Sequence, residues 1–249
     1  MAESFPLVQV EDYHKVYAQT VAVSGLSFHV EAGHVLGLVG PNGAGKTSTL
    51  RAIAGIIPPT RGRIHVAGYD VVRDPVETKR RLAYIPDDPK LFETLTVKEH
   101  LEFIAAAYQV ANHGPLADRL LEEFELVEKR DALAQELSRG MRQKLAVCCA
   151  FLHDPSAILF DEPLTGLDPH GIRTLKQAIV DLGKSGKAII ISSHLLSLVE
   201  DICTDLLILD HGRARFSGPI GEARAAFAST EDASLEEVFF RAIEKGSKA

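Results

Sequence analysis

The run Gly40-Pro41-Asn42-Gly43-Ala44-Gly45-Lys46-Thr47 fits the pattern G-x-x-x-x-G-K-[ST], with Ser48 directly behind it. Glycines at these spacings let the backbone fold back on itself. Successive amide N–H groups, and the positive end of a helix that starts here, then face one anionic centre. Lys46 adds a movable cation for outer phosphates, and the Thr47 hydroxyl is placed to ligate the Mg²⁺ that a nucleotide carries. The chemistry is the binding of a nucleoside triphosphate.

A second station lies at Asp161-Glu162, at the end of the apolar run Ala157-Ile158-Leu159-Phe160. A carboxylate at the carboxyl end of a buried strand beside a phosphate loop can hold a magnesium shell, and Asp161 suits that task. Alternation along the chain sends Glu162 elsewhere. There it can polarise a water in line with the outer phosphate.

These residues need elements to hold them. Val35 to Val39 is a short buried strand that feeds the loop, and Lys46 to Ala54 reads as the helix behind it, with no proline before Pro58. Val8 to Val10 and Leu26 to Val30 read as strands of an N-terminal antiparallel sheet, Arg63 to Ala67 as a further strand, and Leu82 to Ile85 as another. From Thr96 to about Phe151 strand signals disappear. Thr96-Val97-Lys98-Glu99 is a capping box, Gly114-Pro115 starts a second helix, and Ser138-Arg139-Gly140 opens a third. Ala157 to Phe160, Ala188 to Ser192 and Leu206 to Leu209 then alternate with helical segments, beginning with Pro169 to Leu182, which predicts a parallel sheet covered on both sides. Asp210-His211-Gly212-Arg213 is a hairpin turn, and a last helix starts at Ser234 with Glu237 completing its capping box. The basic residues Lys245 to Lys248 are expected to fray.

Composition sets limits. The chain has 249 residues, 46% of them hydrophobic and 24% charged, which is ordinary for a globular protein. No apolar run reaches the roughly 18 residues that span a bilayer, and Met1-Ala2-Glu3-Ser4 shows no basic segment leading into an apolar one. A net charge of −7 and a pI near 5.8 argue against nucleic acid as a partner. Cys148, Cys149 and Cys203 have neither disulfide nor zinc spacing and read as small, mostly buried residues in a reducing compartment.

With the carboxylates in place, the chain resembles the ATP-binding subunits of ABC transporters over about Val8 to Phe240. Leu137-Ser138-Arg139-Gly140-Met141-Arg142-Gln143-Lys144 is similar to the family's signature sequence, Gly166-Leu167-Asp168 to its D-loop, and His194 to its switch histidine. The resemblance implies an α/β fold: a P-loop NTPase core with a mixed sheet covered by helices, an N-terminal antiparallel β subdomain and an inserted helical lobe. The core would occupy about residues 1–87 and 155–220, the helical lobe about 88–154, and a short helical tail about 221–249. It also implies ATP and Mg²⁺ as ligands, with Ser138 and Gly140 binding the outer phosphate of ATP held by a second protomer. Glu162 and His194 would be the catalytic pair, Asp168 would couple the two sites, and Tyr17, better placed than Tyr13, would stack on the adenine.

The chain departs from that pattern where the loop joining the lobes reads Ile85-Pro86-Asp87-Asp88-Pro89. Asp87 stands there for the usual glutamine and is carried as a metal ligand with Thr47 and Asp161; a carboxylate can reach Mg²⁺ but cannot donate as an amide does. Arg139 and Met141 replace the usual signature glycine and glutamine. The resemblance further implies separate transmembrane permease subunits, a homodimer or a heterodimer with a relative closing on ATP, and a cytoplasmic protein held peripherally on the inner face of the membrane. These variants look like those of bacterial export-type subunits. The competing readings are a soluble ABC-type ATPase acting on ribosomes or DNA, and a low-turnover nucleotide-dependent regulator.

Overall fold

The computed structural model describes residues 6–228 and 233–246. The Met1–Ser4 reading and the end of the basic tail lie outside them. The chain opens with β1 (Val8–Tyr17), β2 (Thr20–Val30) and β3 (Val35–Val39), then helix α1 (Lys46–Ile53). Strands β4 (Arg61–Val66) and β5 (Tyr69–Asp70), helix α2 (Pro75–Arg81) and strand β6 (Leu82–Ile85) follow. Next comes an all-helical stretch of α3 (Val97–Tyr108), α4 (Gly114–Glu123) and α5 (Arg139–Leu152), with 3-10 turns at Val127–Lys129 and Ala134–Glu136. The chain closes with β7 (Ala157–Asp161), α6 (Pro169–Lys184), β8 (Ala188–Ser192), α7 (Leu196–Ile202), β9 (Asp205–Asp210), β10 (Arg213–Pro219), α8 (Ile220–Phe227) and α9 (Leu235–Gly246).

The strands form two sheets. One is antiparallel, in the order β2-β1-β4-β5, and the other runs β10-β9-β3-β8-β7-β6. In the second, β9, β3, β8, β7 and β6 are parallel and only the edge strand β10 is antiparallel. Every residue of β3, β7 and β8 is buried, which is what coverage on both faces produces. Alternation divides β7 between two apolar clusters: Ile158 and Phe160 pack with the helical stretch and α6, whereas Ala157 and Leu159 pack with α1 and the antiparallel sheet. A third cluster joins Leu206 and Ile208 to Ala223, Leu235 and Val238 of the C-terminal helices.

Register positions the chemistry. Leu38 pairs with Ser192, and Ser192 with Asp161, so three adjacent strands end level with one another. The phosphate loop, the two carboxylates and His194 all leave the sheet at this carboxyl edge, where open α/β sheets take their ligands.

Some elements differ from the sequence reading. The first two strands make one long ribbon turning at Ala18-Gln19, where polar residues and register shifts near Asp12, whose φ is +45°, hide the alternation. β4 starts at Arg61, within the Pro58-to-Gly62 stretch that reads as a break, because Gly62 lets the backbone approach Asp12 more closely than any side chain would permit. Lys79-Arg80-Arg81 close α2, where Arg80 and Arg81 pair with Glu77 and Arg81 lies over the Tyr69 ring. Helices α2 and α7 were not expected: at seven residues each they carry little periodicity. The Thr96–Glu99 capping box is present, and Ser234 Oγ accepts from the Glu237 N–H. Among the described residues, no helix is long and apolar enough to cross a membrane.

Candidate functional site

Lys46 heads α1 immediately after Gly45, which sits at φ +105°. A methyl at Gly45 would meet the Ala22 carbonyl at 2.7 Å, and one at Gly40 would meet that of Leu209 at 2.3 Å, so neighbouring strands grip the loop from two sides. Gly43, at φ +80°, has none of the described residues within 4 Å on that side. That open side is where an anion can approach the backbone. Lys46 Nζ donates to the carbonyls of Gly40 at 2.7 Å and Pro41 at 3.3 Å, closing the loop on itself. Burial lowers the Lys46 pKa, and the charges of Glu162 and Asp161 only partly offset it. Ala44, Asn42 and Pro41 complete the loop, and the Ala44 carbonyl accepts from Gly212 N–H.

Asp161 is buried and fully engaged. Thr47 Oγ1 donates to its Oδ1 at 3.2 Å, Ser192 Oγ donates to the same oxygen at 2.6 Å, and Tyr84 OH donates to Oδ2 at 3.2 Å. Burial, reinforced by the Asp161 charge, pushes the Tyr84 hydroxyl up to about 12, so it stays protonated and keeps donating. Three hydroxyls therefore aim one carboxylate.

Glu162 turns away from that cluster because its backbone is left-handed, with φ +51°. Its N–H donates to Ser192 O at 3.1 Å and lies 3.2 Å from Ser192 Oγ. The carboxylate is then free to meet His194, whose Nδ1 lies 2.8 Å from Glu162 Oε2. A non-glycine residue held at positive φ by its neighbours is the kind of strain that active sites retain.

The remaining expected residues lie in three places. Tyr17 is partly exposed at the tip of the ribbon, with its hydroxyl 3.5 Å from Ser48 Oγ on α1, whereas Tyr13 is fully buried and donates to the Ser48 carbonyl. The tyrosine open to a ligand is thus Tyr17. Ser138 caps α5, its Oγ accepting from Met141 N–H at 3.2 Å, and Gly140 packs so closely on Gly166 that a methyl there would lie 2.4 Å from the Gly166 carbonyl. Asp168 Oδ1 lies 3.2 Å from Lys144 Nζ, which also binds Glu125 at 3.0 Å. Among the described residues, no hydrogen bond joins Ser138, Gly140 or Asp168 to the phosphate loop. Asp87 pairs with Arg139 at 2.9 Å and lines the same cavity as Thr47, Asp161 and Glu162.

Residues 23–165 match the family described as ABC transporter, more than half of the chain. The chain belongs to the ABC transporter family. It is 35% identical over 235 residues to the ABC-type transporter ATP-binding protein EcsA of Bacillus subtilis, covering 94% of this chain and 95% of that one. It is also 35% identical over 212 residues to Nod factor export ATP-binding protein I of Ralstonia nicotianae, covering 84% of this chain and 66% of that one. A solved ATP-binding subunit of an ABC transporter superposes with a TM-score of 0.91 at 34% identity, over 95% of this chain and 99% of that one. The protein is therefore an ATP-binding ABC subunit on a P-loop NTPase fold.

Sequence reasoning gave no role to Tyr84, Ser192 or Lys144, the last residue of the signature-like run. Ser192 gave a signal, a hydroxyl at the end of an otherwise apolar buried strand. Tyr84 and Lys144 gave none, since their partners lie 77 and 19 residues away or more.

Proposed function

We propose that this chain is a Mg²⁺-dependent ATPase whose turnover drives separate transmembrane permease subunits. The observation that carries the reading is the pairing of two carboxylates with separate tasks at one sheet edge. Asp161 is held on the Thr47 hydroxyl, and Glu162 is held on His194 at 2.8 Å. The Thr47 hydroxyl and the Asp161 carboxylate are hard oxygen donors 3.2 Å apart, a set that suits Mg²⁺, and Asp87 lies in the same cavity. When bound, the cation neutralises charge on the outer phosphates.

The chain's own residues do the rest. Backbone N–H groups of Asn42 to Ser48 and the Lys46 ammonium hold the phosphates, Tyr17 stacks on the adenine, and Glu162 Oε2 takes the proton of an attacking water that His194 orients. Ser138, Gly140 and Asp168 complete the site of a second protomer, set head to tail, which is why they lie away from this chain's own loop. That partner is another copy or a related subunit. The helical stretch moves as a lobe of about residues 88–154 against a core of about 1–87 and 155–220, with 221–249 as a tail.

The permease docks on the apolar part of that same cavity, of about 840 Å³ in all, where Phe92, Phe103, Ile104 and Tyr108 line it, and the protein works on the cytoplasmic face of the membrane. The likeness to an export protein supports outward transport. Turnover by wild type and by Glu162→Gln, together with gel filtration of Glu162→Gln with and without Mg-ATP, tests the reading. Rapid wild-type turnover, an inactive variant and an ATP-dependent dimer are expected. Equal rates in the two proteins would remove Glu162 as the base.

A further inference from the structure

The loop after β6 is held by α5. Arg139 Nη2 binds Asp87 Oδ1 at 2.9 Å, and one helical turn further on Gln143 Nε2 reaches the Pro86 carbonyl at 3.5 Å. The second contact is at the limit of a hydrogen bond, and among the described residues buried Gln143 Oε1 has no hydrogen-bond partner. The ion pair is therefore the firm attachment, although both side chains are half-exposed. Arg139 is also the first residue of α5, and the first turn of that helix carries no acidic residue. A cation there opposes the helix dipole unless an anion answers it, and Asp87 is the anion that does. The stem of Arg139 rests on Gly166, where a methyl would meet its Cδ at 3.2 Å, two residues before Asp168.

Asp87 thus has two calls on one carboxylate. It lines the cavity that contains Thr47 and Asp161, yet it is turned onto a guanidinium on another element. We propose that Arg139 is a positioning residue for Asp87: it holds the carboxylate on α5 until Mg²⁺-nucleotide draws it to the core, so loading the site releases α5 and the loop that carries Asp168. The inference rests on the Mg-ATPase reading above, and the nucleotide it concerns is the one bound to the same chain.

The test is equilibrium binding of a fluorescent ATP analogue to the full chain carrying Glu162→Gln, with Mg²⁺ and with EDTA. Arg139→Met keeps the stem on Gly166 and removes the charge. It should tighten binding with Mg²⁺ about two- to fivefold, the range a partly exposed ion pair supports, and leave binding in EDTA unchanged. In an Asp87→Asn background the same change should have no effect. An unchanged affinity with Mg²⁺, an equal gain in EDTA, or a gain that survives Asp87→Asn would each overturn the proposal. Failure of the ATPase reading looks different: wild type and Glu162→Gln would then turn over ATP at the same rate, whatever the affinities of the Arg139 variants.

Discussion

Ser192 Oγ lies 2.6 Å from Asp161 Oδ1 on the neighbouring strand, and the same oxygen lies 3.2 Å from the backbone N–H of Glu162. One buried hydroxyl thereby fixes both the carboxylate proposed as the metal ligand and the backbone of the proposed base. Ser192→Ala should leave Asp161 short of a donor where no water replaces it. We expect a loss of about 1–3 kcal/mol, seen as a fall of roughly 2–4 °C in Tm per kcal/mol, with a lower kcat. An unchanged Tm and kcat would show that Thr47 and Tyr84 suffice.

Glu162→Gln preserves size and leaves the backbone bond to Ser192 in place, so the φ +51° conformation has the same support. Turnover should drop by about 10²–10⁴ while ATP still binds, as expected when a base is removed and a site is kept. Single-turnover measurement separates the two effects. Loss of binding along with turnover would assign Glu162 to the ground-state complex.

Two glycines of the phosphate loop separate folding from binding. Gly45→Ala combines a left-handed backbone with a contact of 2.7 Å to the Ala22 carbonyl, so the chain should be destabilised by about 2 kcal/mol or more. Gly43→Ala meets only the backbone penalty of about 1–2 kcal/mol, since none of the described residues lies within 4 Å. Its methyl would occupy the side open to phosphate, so ATP affinity should fall by more than the change in melting temperature accounts for. Melting curves with and without ATP check both.

The phosphate loop and the Asp161-Glu162 pair could be read from the sequence because their chemistry demands particular residue types at fixed local spacing. The layering of the parallel sheet was legible for a similar reason: continuous apolar runs such as Ala188 to Ser192 have no exposed face. What escaped depends on register and on backbone sign. Ser192 meets Asp161 only because β7 and β8 pair as they do, and Tyr84 reaches Asp161 from the next strand over. Asp87 with Arg139 joins residues 52 apart that share no element. The ribbon of β1 and β2 was cut short because the register shifts around Asp12, at positive φ, break the alternation that marks a strand.

Lys144 gives the last prediction. Its side chain is 9% exposed and touches Glu125 at 3.0 Å and Asp168 at 3.2 Å, while His170 lies 3.2 Å from the same Glu125 oxygen. Burial alone would lower the Lys144 pKa, but hydrogen bonds to Glu125 and Asp168 outweigh it and hold the pKa above its ordinary value. The same bonds hold both carboxylates below theirs. A raised lysine stabilises fully below its unfolded pKa and stops doing so as pH rises through the folded one. A lowered carboxylate stabilises above its unfolded pKa and stops as pH falls through the folded one. The network is therefore at full strength between the ordinary carboxylate and lysine ranges and fades on either side. Lys144→Met fills the same space without charge, so Tm should fall by roughly 2–4 °C near pH 7. The gap between variant and wild type should close as pH drops below about 4, where the carboxylates protonate. A gap that stays constant with pH would mean that Lys144 acts by packing and not by charge.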